Sequence, residues 1–342
     1  MPKNVGICIV GVGRAGAVHS RNYSGCIKNA KLVAVVDADH NNAVKAAEEY
    51  GVKKCYTNHE EALKQKNVDA LVISTPTFTH AKIAIDAAEA EKHIFCEKPM
   101  ALTLKEAGEM IRAARKAGVK LQIGFMRRFD TEFRSAKQKI EEGIIGKPSL
   151  IKSTGRGPGL PPPWACDPKT SIGMLAEVNS HDFDSVRWLM GSNIIRVYAE
   201  AETIAVPELK EKYPSFYDNA VVTLRFENSS LGIIDGSCPV KYGYDARVEV
   251  LGTEGVMLIG ELKYQAVVVC KKETGVYTST FPSWRDRFRE AYLEEDRHFI
   301  DCIINDKEPI ASGEDGKAAL EAVLAATKSI KEGRPVTLPL KL

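Results

Sequence analysis

The stretch IVGVGRAGAVHS, residues 9–20, runs from an apolar segment into Gly11, Gly13 and Gly16, a G-x-G-x-x-G spacing. Glycines so placed let a backbone approach a pyrophosphate, whose charge is attracted by the amides and dipole of a following helix. Asp37 closes the next apolar run, LVAVVD, about 20 residues on, where a carboxylate accepts hydrogen bonds from an adenosine ribose. The same charge repels a 2′-phosphate. No Arg or Lys stands between Asp37 and Lys45, so the pattern favours NAD over NADP. Glycines alone would equally serve a tight turn; the run before them, the helical pattern after them and Asp37 tip the reading towards a nucleotide.

Three further segments carry reactive side chains. ISTPTFTH brings Ser74, Thr75, Pro76 and His80 to the end of another apolar run, with Thr77 or Thr79 able to cap the next helix. His80 reads either as part of the cofactor side or as a surface residue. IFCEKP sets Glu97 and Lys98 just beyond a buried run, with Pro99 fixing the turn, at a strand end expected near a nicotinamide. In LAEVNSHDFDSVRWLMG, His181 begins a helix whose Phe183, Val186, Leu189 and Met190 face a core. Glu177, Asp182 and Asp184 offer carboxylates that orient an imidazole acting as a general base; a structural role at the helix start is the competing reading. Joint action with Lys98 requires the two to meet in space, which spacing does not decide.

Between residues 5 and 124, the runs VGICIV, LVAVVD, ALVIST, HIFCEK and KLQIGF alternate with amphipathic stretches, the rhythm of a parallel sheet covered on both faces. Such sheets bind ligands at the carboxyl ends of their strands. After 124 the pattern changes. A helical TEFRSAKQKIEEG and a strand SLIKST precede GRGPGLPPPWACDPKTSIG, a Pro- and Gly-rich segment read as a substrate-side loop. IIRVYAEAE, NAVVTLRFEN, SLGIIDGS, ARVEVLGT, GVMLIG and AVVVC then read as antiparallel strands joined by turns such as ENSS and GTEG. Two helices, 286–304 and 313–332, close the chain before Gly333 and Pro335. The expected fold is α/β: an N-terminal Rossmann parallel-sheet domain over residues 1–124, and a C-terminal α+β domain over 125–342 with a large, mostly antiparallel open sheet. The closing helices are available to pack back on the first domain.

A chain of 342 residues, 44% apolar and 27% charged, sustains more than one compact domain. The net charge of +2 gives no field favouring nucleic acid or an anionic membrane, which leaves a small molecule as the expected partner. No run approaches the roughly 20 apolar residues of a membrane helix, and MPKNVGICIV lacks a signal-peptide core, so cytoplasmic residence is expected. The eight cysteines stand singly, several inside apolar runs, and read as reduced core thiols. No zinc-finger spacing, basic helix or other metal-ligand pattern stands out.

Taken together, GVGRAG with Asp37, STPTFTH, CEKP, GFMRRFD, GMLAEVNSHDFDSVRWLMG and YGYDARVEVLGTEG resemble the glucose-fructose oxidoreductase, inositol dehydrogenase and rhizopine catabolism family over nearly the whole chain. FMRRFD and YGYDARVEV are most similar to its inositol 2-dehydrogenase branch. The resemblance implies NAD-dependent oxidation of a ring secondary alcohol, usually in a homotetramer, with a cyclic polyol or sugar as substrate. It implies that His181 takes the hydroxyl proton while Lys98 steadies the developing oxyanion. It adds Arg14 and Ala15 to the cofactor turn and brings Arg127, Trp164 and Tyr242 to the polyol; the bland alternatives are a surface cation for Arg127 and a half-buried strand aromatic for Tyr242. Where inositol dehydrogenases commonly carry Asp, four residues before that histidine, this chain has Glu177, which bears on the preferred hydroxyl or stereoisomer. A different sugar on the same scaffold, or a cofactor-binding regulator without turnover, are the other readings.

Overall fold

The computed structural model describes residues 4–273 and 275–341. They form two compact units: the chain up to Phe129 with Glu290–Leu320, and Asp130–Arg289 with the chain from Glu321 on.

In the first unit the short apolar runs become strands β1 (Val5–Val10), β2 (Ala30–Val36), β3 (Cys55–Tyr56), β4 (Ala70–Ile73), β5 (His93–Glu97) and β6 (Leu121–Gly124). Their order is β3-β2-β1-β4-β5-β6, and every neighbouring pair is parallel. β1 and β4 are buried along their whole length, as a sheet covered on both faces requires. The order reverses between β1 and β4, so their carboxyl ends flank the crevice where doubly wound sheets bind ligands. Helices return the chain between strands. Leu104–Ala117 shows how sequence bounds them: Thr103 and Glu106 form a reciprocal capping box, and Gly118 ends the helix at φ 66°. The late helix Arg289–Ile304 also serves this sheet, because Phe299 and Ile300 lie in one buried cluster with Ile7, Val35 and Phe95. Gln122 donates to the Glu295 carbonyl at 3.1 Å, and Ile123 N–H to that of Ala311 at 2.9 Å.

The second unit is built on β7 (Pro148–Arg156), β8 (Ile194–Glu202), β9 (Asn219–Phe226), β10 (Leu231–Ser237), β11 (Asp245–Gly252) and β12 (Val256–Ile259). β13 (Val269–Lys271) and β14 (Gly275–Tyr277) pair only with each other, and β15 (Val336–Thr337) completes the large sheet. Its order is β12-β11-β7-β10-β9-β8-β15, antiparallel throughout except for the parallel pair β7 and β10. The helix Ser180–Met190 packs on β7 and β10, and its Phe183, Val186 and Leu189 are buried. The opposite face is open. Register puts Leu150, Leu231, Leu251 and Val256 in one row across it, the last three exposed.

AVVVC corrects an expectation: it supplies β13 of the separate hairpin instead of a strand of the large sheet, so Cys270 is exposed. Cys26 is exposed as well and Cys55 partly so; the other five cysteines are buried, and none forms a disulfide. No helix among the described residues is long and apolar enough to cross a membrane.

Candidate active site

The site residues read from the sequence fall into two groups, one in each unit. In the first, Gly11 leaves β1 with φ +88°, a backbone that side chains rarely adopt, and its N–H donates to the Val36 carbonyl at 2.8 Å. Ser74, at the end of β4, donates from Oγ to the Gly11 carbonyl at 2.7 Å and so binds the two strand ends together. A Cβ on Gly16 would stand 1.9 Å from that same carbonyl oxygen, so helix Arg14–Arg21 packs on the turn only because residue 16 lacks one. Gly13 differs: it caps the helix, is exposed, and a Cβ there would meet nothing within 4 Å. The turn therefore presents open space at a helix N-terminus, the cradle a pyrophosphate needs. Arg14 and Ala15 follow in the first helical turn, exposed and half-buried.

Asp37 faces this turn. Its carboxylate accepts from Val12 N–H at 3.1 Å and Asp39 N–H at 3.0 Å, and a carboxylate retains capacity for ribose hydroxyls beyond two such bonds. These residues fit NAD. Beside them, Thr79 Oγ1 donates to Thr75 Oγ1 and the Pro76 carbonyl, fixing the loop after β4.

His80 is buried rather than on the surface. Nδ1 lies 2.8 Å from the Pro99 carbonyl and Nε2 2.8 Å from that of Thr75, so the ring ties together the ends of β4 and β5. Burial lowers its pKa below the ordinary histidine value, against the pull of both carbonyls. Lys98 follows β5, partly buried, between the buried Glu97 and Pro99, whose peptide bond is cis. Arg127, in the turn Met126–Phe129, is 1% exposed, which removes the surface-cation alternative.

In the second unit, His181 is 5% exposed and stands one residue into helix Ser180–Met190. The helix start is seated on the sheet by two glycines that are register partners, Gly155 of β7 and Gly236 of β10. A Cβ on either would stand 2.0 Å from Asp182 Oδ2 or 2.4 Å from Asn179 Oδ1. Asp182 accepts from Ser153 Oγ at 2.6 Å and Asn179 Nδ2 at 2.8 Å, so its carboxylate is engaged in anchoring the helix. Glu177 ends the short helix Met174–Glu177 and accepts from Ser171 Oγ at 2.8 Å; Ser171 accepts in turn from Gly173 N–H at 3.0 Å. Trp164, in the Pro- and Gly-rich loop, is held through its carbonyl by Thr170 Oγ1 at 2.6 Å.

Tyr242 is set apart from this group. It lies in the turn between β10 and β11, 37% exposed, so the strand-aromatic alternative also fails. Its hydroxyl accepts from Arg156 Nη1 at 3.2 Å and donates to Asp245 Oδ2 at 2.9 Å. Alternation along β7 sends Arg156 to the face opposite that of Gly155, away from the His181 helix. Sequence reading passed over Ser171, Asn179, His19 and Asp296, all buried polar residues. The matched glycines of β7 and β10 were the legible signal for Asn179, since glycine within a strand often marks a close approach.

Comparison with known proteins bears on the family. Residues 5–125 match the model of an oxidoreductase family with an NAD-binding Rossmann fold, and residues 137–338 that family's C-terminal alpha/beta domain. The chain is 37% identical over 332 residues to a myo-inositol 2-dehydrogenase of Thermotoga maritima, covering 97% of this chain and 98% of that one. It is 37% identical over 341 residues to a scyllo-inositol 2-dehydrogenase (NAD(+)) of Bacillus subtilis, covering 100% and 98%. A crystal structure of scyllo-inositol dehydrogenase from Lactobacillus casei, with bound NAD(H) and scyllo-inositol, superposes with a TM-score of 0.91 at 28% identity, over 98% and 99% of the two chains. With family models matched across both halves and full-length relatives at this identity, the chain belongs to the glucose-fructose oxidoreductase and inositol dehydrogenase family of NAD-binding oxidoreductases.

Proposed function

We propose that this protein is an NAD-dependent dehydrogenase of a cyclic polyol, with myo-inositol the first substrate and 2-keto-myo-inositol (scyllo-inosose) the product. The observation that carries the reading is one chain holding both a glycine turn with Asp37, fit for NAD, and a buried His181 preceded by a fixed carboxylate, Glu177. Full-length likeness to two inositol 2-dehydrogenases supports the substrate class.

When bound at Gly11, Gly13, Gly16 and Asp37, NAD supplies the hydride acceptor. His181 takes the hydroxyl proton at an imidazole nitrogen as the carbinol carbon is oxidised. Lys98 steadies negative charge on the same oxygen. Glu177, pinned by Ser171, accepts from a substrate hydroxyl or from His181, and Arg127 and Trp164 shape the polyol site. A homotetramer in the cytoplasm completes the reading. The exposed apolar row on the open sheet supports self-association, and eight cysteines outside any disulfide suit a reducing compartment.

Glu177 in place of the commoner Asp favours a second reading, in which another inositol isomer or a pyranose sugar is preferred. NADH formation with NAD or NADP against myo-, scyllo- and chiro-inositol, glucose and xylose tests both. Activity on an inositol with NAD supports the proposal, activity only on a sugar moves the substrate, and silence on every compound points to an untested substrate or to the non-catalytic regulator.

A further inference from the structure

His19 lies three residues beyond Gly16 on the helix that opens at the nucleotide turn, and it is 0% exposed. Each ring nitrogen meets a carboxylate: Nδ1 stands 2.8 Å from Asp296 Oδ1 and Nε2 3.1 Å from Glu97 Oε1. Asp296, equally buried, accepts from Asn22 Nδ2 at 2.8 Å through its other oxygen. Glu97 turns its other oxygen to the backbone N–H of Lys98, 3.1 Å away. An unbroken path therefore runs from Asp296 through His19 and Glu97 to Lys98, all within the first unit.

Two carboxylates facing one ring require two donors, which only the imidazolium supplies. Phe95 and Tyr292 stand edge-on to the ring, with centroids 4.9 and 5.7 Å away. Burial opposes the charge, but Asp296 and Glu97 outweigh it and hold the imidazole pKa well above the ordinary 6.5. The groups around the ring are Asp296 and Tyr292 from helix Arg289–Ile304 and Glu97 and Phe95 from β5, while Asn22 and Tyr23 bond to Asp296 and Glu295 acts on Tyr23. Buried ion networks are a poor means of gaining stability, so their placement asks for another explanation. Here the last link is the amide of the residue read as steadying the reacting oxygen.

We infer that His19 is a positioning residue: its imidazolium, held by Asp296, fixes the Glu97 carboxylate against the Lys98 amide and thereby sets where the Lys98 side chain stands. The inference rests on the role given to Lys98 under Proposed function.

His19→Gln keeps comparable bulk and one donor but loses the charge. Its kcat falls by about 100-fold while KM and the NADH Kd stay within about threefold, the pattern of a misplaced group that binds neither ligand. A deuterium isotope effect on kcat, measured with substrate labelled at the oxidised carbon, rises because chemistry becomes the slow step. Asp296→Asn moves the same quantities in the same direction. Unchanged kcat per folded site in both variants overturns the inference. Should His19→Gln not fold, Asn22→Ala leaves all charges in place, loosens Asp296 and still lowers kcat by roughly 3- to 10-fold; no change there overturns it. A second arm is independent of substrate: the rate at which N-acetoxysuccinimide acetylates Lys98 in the cofactor-free protein, followed by mass spectrometry, changes in Asp296→Asn relative to wild type. If wild type oxidises no polyol or sugar, the functional proposal fails alone, and an unchanged Lys98 labelling rate then overturns the part given to His19.

Discussion

Gly13 and Gly16 belong to one motif, yet the structure assigns them opposite sensitivities, and substituting each by Ala separates them. At Gly16 the new Cβ would stand 1.9 Å from the Gly11 carbonyl oxygen, a backbone atom of a residue fixed by its own bond to Val36. Relief requires the helix or the strand end to move by about 1 Å, an overpacking cost of roughly 3 kcal/mol. Across a unit of this size that lowers Tm by about 6–12 °C. At Gly13, φ is −69° and the added methyl meets nothing. Replacing a glycine N-cap by Ala costs a few tenths to about 1 kcal/mol, and reduced freedom of the unfolded chain offsets much of it, so Tm moves by no more than about 2 °C. The methyl does occupy the space through which a pyrophosphate reaches the helix amides. Losing one charge-assisted hydrogen bond, about 1.5–3 kcal/mol, weakens NADH binding by roughly 10- to 150-fold. Differential scanning fluorimetry of the cofactor-free variants and fluorescence titration with NADH read the two effects separately. Gly13→Ala binding NADH within about threefold of wild type would refute the placement of the pyrophosphate at this turn. Gly16→Ala with wild-type Tm would refute the packing argument.

Asp37→Ala removes the carboxylate beside the glycine turn; kcat/KM with NAD falls by about 10- to 100-fold and the NAD-to-NADP ratio narrows, as paired initial-rate measurements would show. Ser171→Ala removes the hydroxyl that donates to Glu177, and Glu177→Asp shortens the carboxylate's reach; both change the ratio of kcat/KM for myo- over scyllo-inositol more than they change Tm, and an unaltered ratio removes the pair from specificity. Phe299→Ala, in the core that the late helix shares with β1 and β5, costs about 3–5 kcal/mol in urea unfolding. The raised pKa of His19 fixes the sign of a pH dependence: its stabilisation is present in full below the unfolded value and is lost as pH rises through the folded one. The Tm difference between wild type and His19→Gln is therefore largest at mildly acid pH, below the unfolded value of 6.5, and shrinks as pH rises above it; a difference that grows with pH contradicts an imidazolium at this site.

What the sequence made legible follows from how locally each feature is encoded. The glycine turn, Asp37 and the helix that begins around His181 depend on residues near in sequence, and spacing alone outlines them. The five longer strands of the first sheet were equally plain, because burial on both faces leaves unbroken apolar runs; β3, two residues long, has no room for a pattern. The large sheet was read as mostly antiparallel, as it is, but which pair runs parallel, β7 with β10, was not legible because pairing partners far apart in sequence leave no local trace. AVVVC shows the converse failure, an apolar run that satisfies a strand pattern while pairing only with a neighbouring hairpin strand. Tyr242 shows a related limit: a motif places a residue in a turn, but strand alternation decides which face its partners Arg156 and Asp245 occupy. His19 is the sharpest case. It sits inside the quoted motif, yet its meaning comes from Asp296, 277 residues away, and from Glu97 at the end of another strand. A histidine on an amphipathic helix announces nothing until the carboxylates that charge it are in place, and those arrive only with the tertiary fold. The residues that hold a site in position are thus harder to read than those that touch the substrate, because contact chemistry restricts residue type at one position while positioning is shared among several.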